Sequence, residues 1–214
     1  MTLVAISGAY GAGGSRIARL LAERLGVPFV DRAIPAAVAE ALAVPLGDAA
    51  AHDEQSAVSW LERMLTGFRG FDTSAPAPPL PERVTAEDFR RATEEVLRRQ
   101  ARTGEGVILG RGGVFVLRDH PLVLRARLTG PPERRTEQAA QLEQIDLESA
   151  ERRRRQLDRA HDAYAKRFYD GDLDDVSLYH VVIDSTAIPI EASAALLERA
   201  SRALESSVGA PTRR

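Results

Sequence analysis

Leu3-Val4-Ala5-Ile6-Ser7 runs into Gly8-Ala9-Tyr10-Gly11-Ala12-Gly13-Gly14-Ser15, and that into Arg16-Ile17-Ala18-Arg19-Leu20-Leu21-Ala22-Glu23-Arg24-Leu25-Gly26. An apolar run of strand length enters a glycine-rich turn and leaves as an amphipathic helix. Ile17, Leu20, Leu21 and Leu25 share one helical face, and Gly26 is placed as the stop. Glycines let the backbone turn tightly and remove the β-carbons that would keep a ligand off the main-chain N–H groups. Those groups and the helix start form a site for an anion, most naturally a phosphate.

The turn nearly fits the P-loop frame G-x-x-x-x-G-K-[ST]. Gly8 and Gly13 take the glycine positions and Ser15 the hydroxyl position, while Gly14 stands where the lysine belongs. What remains is a phosphate cradle without its usual charge. A strand-to-helix turn that merely packs closely is the alternative. A dinucleotide fingerprint fits worse, because Gly11-Ala12-Gly13-Gly14 lacks the last glycine of that spacing.

The chain has 214 residues, enough for one domain with a substantial core. Hydrophobic residues make up 44% and charged residues 28%, an ordinary globular balance. A formal charge of −2 provides no global field to recruit nucleic acid or anionic lipid. With no cysteine there is no disulfide, thiolate nucleophile or cysteine zinc site. The chain starts directly on a strand, and no apolar run approaches membrane-spanning length, so the expected location is the cytoplasm. Lys166 is the only lysine. A phosphate-neutralising cation must therefore be arginine, whose planar fork suits bidentate contacts.

Val27-Pro28-Phe29-Val30-Asp31 reads as a second short strand, and helices are expected over 33–43 and about 54–66. Gly67 to Arg83, rich in proline and glycine, reads as a mobile loop. Helix resumes from Thr85, a candidate N-cap, to about Arg102. Val107 to Leu109 forms a buried strand leading into Gly110-Arg111-Gly112. Leu122 to Leu128 is another strand, and Pro131-Pro132-Glu133-Arg134-Arg135 opens a helix. A long charged helix spans about Leu147 to Phe168, Val181 to Asp184 is the last strand, and a helix from Ile190 to about Leu204 precedes a frayed tail. Apolar strands alternating with helices indicate an α/β fold with a parallel sheet covered on both faces. Ligands bind such sheets at the strands' carboxyl ends, which singles out Gly8 to Ser15, Asp31-Arg32, Gly110-Arg111-Gly112 and Asp184-Ser185-Thr186.

Arg111 can reach a nucleotide phosphate or base, or serve as a surface turn. Asp31 can accept from a ribose or base, bind magnesium through water, or cap a helix near Ala33. Arg152, Arg155, Arg159 and Lys166 fall on one stripe of the charged helix. That stripe is either a solvated face paired with Glu148, Glu151, Asp158 and Asp162, or a lid that brings cations over transferred phosphates. His52, His120, His161 and His180 show no metal spacing, and Asp174-Asp175 reads as an exposed turn.

At these residues the chain resembles the cytidylate kinase-like P-loop proteins, relatives of the nucleoside monophosphate kinases. The resemblance is carried by Ile6 to Ala18, Val27 to Arg32, Ile108 to Gly112, Asp158 to Tyr164 with Arg167-Phe168-Tyr169, and Tyr179 to Asp184, in the same order along most of the chain. It is loose over 45–100. It implies one P-loop kinase domain over 1–206, with a nucleoside-monophosphate-binding insertion at about 33–103 containing the loop 67–83, a helical lid at about 147–172, and a frayed tail at 207–214.

The implied activity is transfer of the γ-phosphoryl group of ATP, with Mg²⁺, to a nucleoside monophosphate or other small acceptor. Gly8, Gly11, Gly13, Gly14, Ser15 and Arg16 would hold the donor, with Ser15 on magnesium. Asp31, Arg32 and Arg111 would position the acceptor, and Arg155, Arg159 and Arg111 would neutralise developing charge. Cytidylate kinases carry Gly-Arg-Asp after the third strand; here Arg111 matches the arginine and Gly112 replaces the aspartate. Glycine in place of the P-loop lysine is common in the kinase-like branch. The rival reading is a nucleotide sensor or interaction module that kept the cradle and lost turnover. The implied partners are nucleotides and small molecules, with neither nucleic acid nor membrane; homo-oligomerisation is left open.

Overall fold

The structure is a computed structural model that describes residues 3–30, 86–110 and 112–209. Their elements are β1 (Leu3–Gly8), α1 (Gly14–Leu25), α2 (Ala86–Thr103), β2 (Gly106–Leu109), α3 (Gly113–Val116), β3 (Val123–Thr129), α4 (Pro132–Glu143), α5 (Leu147–Tyr169), a 3-10 turn (Val176–Leu178), β4 (Val181–Asp184) and α6 (Ile190–Gly209). The chain divides into two units, Met1–Asp31 with Leu97–Arg214, and Arg32–Val96, the boundary falling inside α2. The helices expected at 33–43 and 54–66, the loop 67–83 and the Thr85 cap lie outside the described residues.

The sheet is parallel throughout, ordered β2-β1-β3-β4, with Leu3 opposite both Gly106 and Val123. Of the strand expected at Val27–Asp31, the described residues form one parallel bridge, Phe29 to Val107, where Pro28 and Val30 exchange hydrogen bonds with β2. β1 and β2 are buried along nearly their whole length, which is why their sequences are uninterrupted apolar runs rather than alternating ones.

One face of the sheet presents Val4, Ile6, Val107, Leu109, Leu124, Ala126 and Leu128 to Ile17 and Leu21 of α1 and Ala194 and Leu197 of α6. On the other face Ala5 and Ile108 pack on α3 so closely that a β-carbon on Gly113 would lie 3.3 Å from Ile108. α1 ends as its sequence directs, with Gly26 at φ 67° donating to the carbonyls of Ala22 and Glu23. α6 runs to Gly209, past both the Leu204 end and the 207 tail boundary read from sequence. Ser206 and Ser207 return their hydroxyls to the carbonyls of Arg202 and Leu204. Among the described residues no helix is long and apolar enough to cross a membrane.

Neighbouring leucines on α6 provide a test of this packing. Leu197 is fully buried and Leu196 is 47% exposed. Leu197→Ala should lower unfolding free energy by about 2–5 kcal/mol, and Leu196→Ala by no more than about 0.5 kcal/mol, as read from urea midpoints.

Candidate functional site

β1 delivers the chain at Gly8 to the carboxyl edge of the sheet, where Ala9 donates to the Leu128 carbonyl of β3 at 2.9 Å. Gly11 and Gly13 then take φ of 80° and 69°. Gly13 caps α1 without a side chain, and its carbonyl accepts from Arg16 and Ile17. Ala12 N–H is used within the turn, by the carbonyl of Ala9. The N–H groups of Tyr10, Gly11, Gly13, Gly14 and Ser15 have no acceptor among the described residues. Such donors at a helix start are what an anion needs.

Three consecutive carbonyls of the turn are held by side chains from other elements. Arg135 Nη1 donates to Tyr10 at 2.9 Å, Gln138 Nε2 to Gly11 at 2.9 Å, and Ser185 Oγ to Ala12 at 2.7 Å. With these carbonyls tied to α4 and the end of β4, the N–H groups are left for a ligand. The packing is close: a β-carbon on Gly11 would stand 2.1 Å from the Arg135 carbonyl oxygen. At Gly14, where the lysine of the frame would sit, a β-carbon would meet Leu109 at 3.4 Å, ordinary contact.

Arg135 also joins the turn to α5. Its buried guanidinium forks onto Asp158, Nη1 to Oδ1 at 3.0 Å and Nη2 to Oδ2 at 2.9 Å, while Nε donates to the Gly130 carbonyl. Arg154 adds bonds to Thr136 and Asp158, and Arg153 pairs with Glu143. The hydroxyl of half-buried Tyr10 lies inside beside that last pair, and burial followed by the Glu143 carboxylate pushes it above the usual tyrosine range.

The charged stripe divides. Arg152 pairs with Glu148, Arg155 with Glu151 and Lys166 with Asp170, each one helical turn away and exposed. Arg159 is exposed with no partner among the described residues. Arg16 is exposed and reaches the Leu142 carbonyl at 3.4 Å. Ser15 is exposed, and its hydroxyl is unbonded among the described residues. No cluster of acidic or histidine side chains among the described residues could by itself hold a metal. An ion here would rest on Ser15 and on phosphate oxygens.

Asp31, Arg32 and Arg111 lie outside the described residues. Gly112 takes φ 70°, and a β-carbon there would lie 2.6 Å from the Tyr169 ring and hydroxyl. Tyr169 in turn stacks on Phe115 at 4.9 Å. An aspartate at position 112 would therefore collide with Tyr169.

Nearby, Arg127 of β3 is buried and donates to Ser7 Oγ at 2.9 Å and Asp174 at 3.0 Å. Asp174 and Asp175 occupy a turn as expected, with Asp175 capping the 3-10 turn through Ser177. Arg135 and Gln138, which sequence alone does not single out, hold the turn together with Ser185, which sequence marks only as part of a strand-end stretch; Arg127 stands outside that set. The arginines at 125 and 127 within β3 were the available signal for Arg127.

Comparison with known proteins extends this picture. A family model described as the cytidylate kinase-like family matches residues 3–187. The structure resembles an uncharacterized protein from Eubacterium ventriosum ATCC 27560 at 17% identity, covering 94% of this chain and 99% of that one, with a TM-score of 0.66. It also resembles a gluconokinase from Sinorhizobium meliloti 1021 at 16% identity, covering 96% and 97%, with a TM-score of 0.50. At those identities the likeness is one of fold, that of the P-loop kinases. No curated protein sequence matches the chain significantly.

Two outcomes follow from the site's geometry. Gly11→Ala should destabilise the fold by at least about 2 kcal/mol in denaturant unfolding, from the backbone clash and the positive φ together. His161 is held below its ordinary 6.5 by burial first, then by the Arg127 and Arg135 cations, against the opposing pull of Asp158. A lowered folded pKa means that the unfolded chain binds the proton first. Stability is thus retained above about pH 6.5 and lost as pH falls below it. His161→Gln should flatten that loss below about pH 6.5 in urea titrations. His180, which burial also lowers, contributes to the slope that remains.

Proposed function

The chain belongs to the cytidylate kinase-like family, and from that premise we propose that it binds ATP at Gly8–Ser15 and transfers the γ-phosphoryl group to a small acceptor. The acceptor is a nucleoside monophosphate or a molecule of similar size, handled in the cytoplasm. The observation that carries this reading is the glycine turn, with its three carbonyls tied outward and its remaining N–H groups unused. Phosphoryl transfer asks little covalent chemistry of a protein; it asks for positioning and for charge where charge develops. Here the N–H groups of Gly11, Gly13, Gly14 and Ser15 would hold the donor phosphates, with Arg16 at the rim. Ser15 Oγ would ligate Mg²⁺, which when bound neutralises phosphate charge.

Arg159 would serve as the lid cation, being exposed and uncommitted among the described residues, whereas Arg155 would first have to leave Glu151. Asp31, Arg32 and Arg111 would position the acceptor. One observation favours a second reading, a nucleotide sensor without turnover: Gly14 supplies no cation where the frame has lysine.

Calorimetry with magnesium-ATP tests the binding, and turnover against a panel of nucleoside monophosphates tests the chemistry. Heat should be detected at millimolar nucleotide or below; its absence with every nucleotide sinks the reading. Gly13→Val should abolish binding, since its β-carbon would sit 3.3 Å from Gln138 at φ 69°. Gly14→Lys, which the packing admits, should tighten magnesium-ATP by about tenfold. Arg159→Ala should lower transfer at least about tenfold while changing ATP affinity little, the mark of a group used in the transition state. Arg155→Ala should have a smaller effect. Tight ATP binding with no transfer to any acceptor would decide for the sensor.

A further inference from the structure

Arg127 is a buried charged residue on β3, only 8% exposed, and its side chain lies on the face of the sheet opposite Ala126 and Leu128. Burying a guanidinium is costly unless every donor is matched. Arg127 is not fully matched: Nη1 meets the neutral Ser7 hydroxyl, Nη2 meets Asp174, and the buried Nε has no partner among the described residues. Its anionic partner is poorly held too, for the Asp174 side chain is 80% exposed on a turn. An ion pair with one member in water contributes little to stability. Structural need alone therefore does not account for the charge at this position.

Its location does. Ser7, paired in register with Arg127, is the residue immediately before Gly8 of the phosphate cradle. Arg127 thus stands at the carboxyl edge of the sheet, where open parallel sheets bind their ligands.

We propose that Arg127 reads an oxyanion, phosphate or carboxylate, on the acceptor, and that Asp174 holds that place in the free protein until the acceptor displaces it. This deepens the kinase reading and rests on it for the word acceptor. The exchange replaces one carboxylate by another anionic group, so the guanidinium is never left uncompensated.

The test is calorimetry on the full chain in wild-type, Asp174→Asn and Arg127→Gln forms. One arm titrates magnesium-ATP; the second titrates AMP, CMP, GMP and UMP as phosphate-bearing probes and glucuronate as the carboxylate-bearing probe. All three proteins should bind ATP alike. Asp174→Asn removes the competing carboxylate and should tighten at least one acceptor probe by about threefold to tenfold, and Arg127→Gln should weaken the same probe by at least about tenfold. Which class of probe responds identifies the oxyanion.

Unchanged or weaker binding in Asp174→Asn overturns the proposal. So does undiminished binding in Arg127→Gln, or no heat from any acceptor probe at millimolar concentration. Asp174 lies at the surface, so its substitution decides the matter even if Arg127→Gln fails to fold. Failure of the ATP arm alone would instead remove the kinase reading, leaving the acceptor-probe comparison to judge Arg127.

Discussion

The turn between β1 and α1 works because its carbonyls point away from it. Peptide units carry a donor and an acceptor on opposite sides, so a loop that offers its N–H groups to a ligand must place its C=O groups elsewhere. Here Arg135, Gln138 and Ser185 take the carbonyls of Tyr10, Gly11 and Ala12 in sequence. The rest of the unit can be understood as what delivers those three side chains. α4 brings two of them, the end of β4 brings the third, and β3 holds Ala9 through the Leu128 carbonyl. Preorganised donors of this kind spare a site the cost of reorienting dipoles when charge develops.

Arg135 gives the same contact a second consequence. Because its fork is closed by Asp158, the conformation of the turn and the position of α5 are linked through one buried ion pair. Removing Asp158 would strand the buried Arg135 guanidinium, which is far more costly than losing a surface pair, whereas Asp158 keeps Arg154 if Arg135 is removed. The exposed pairs along α5, Arg152 with Glu148 and Arg155 with Glu151, have no comparable weight. Many arginines line this helix, but only the partly buried Arg154 joins the Asp158 cluster. The helix's attachment thus depends on a few residues, while its remaining charge is solvated.

On the opposite face of the sheet, the close approach of Tyr169 and Phe115 to Gly112 and Gly171 leaves no room for side chains at either glycine. At the first of these positions, where the resemblance to cytidylate kinases implies an aspartate, Tyr169 occupies the space. Arg127, Ser7 and Asp174 lie on the same side of the molecule and bring polar chemistry to a region the sequence shows as a nearly unbroken apolar strand.

How much was legible in the chain itself follows from the range of the interactions. The β1–turn–α1 unit, the α/β class and the Gly26 stop depend on apolar periodicity and on what glycine permits locally, and all were readable from residues 3–26. The extra turn of α6 was not, because serine is a weak helix signal and its hydroxyl bonds back to the helix form only once the helix exists. Nor was the roster of site residues. Arg135 is 125 positions from Tyr10 and Ser185 is 173 from Ala12, so no spacing rule connects them; only the parallel crossovers of the sheet bring their donors to those carbonyls. Sequence likewise placed Arg152, Arg155, Arg159 and Lys166 on one stripe, because helical pitch is local. Which of them a neighbouring acid had already engaged was settled by side-chain geometry in the folded chain, and that left Arg159 uncommitted among the described residues.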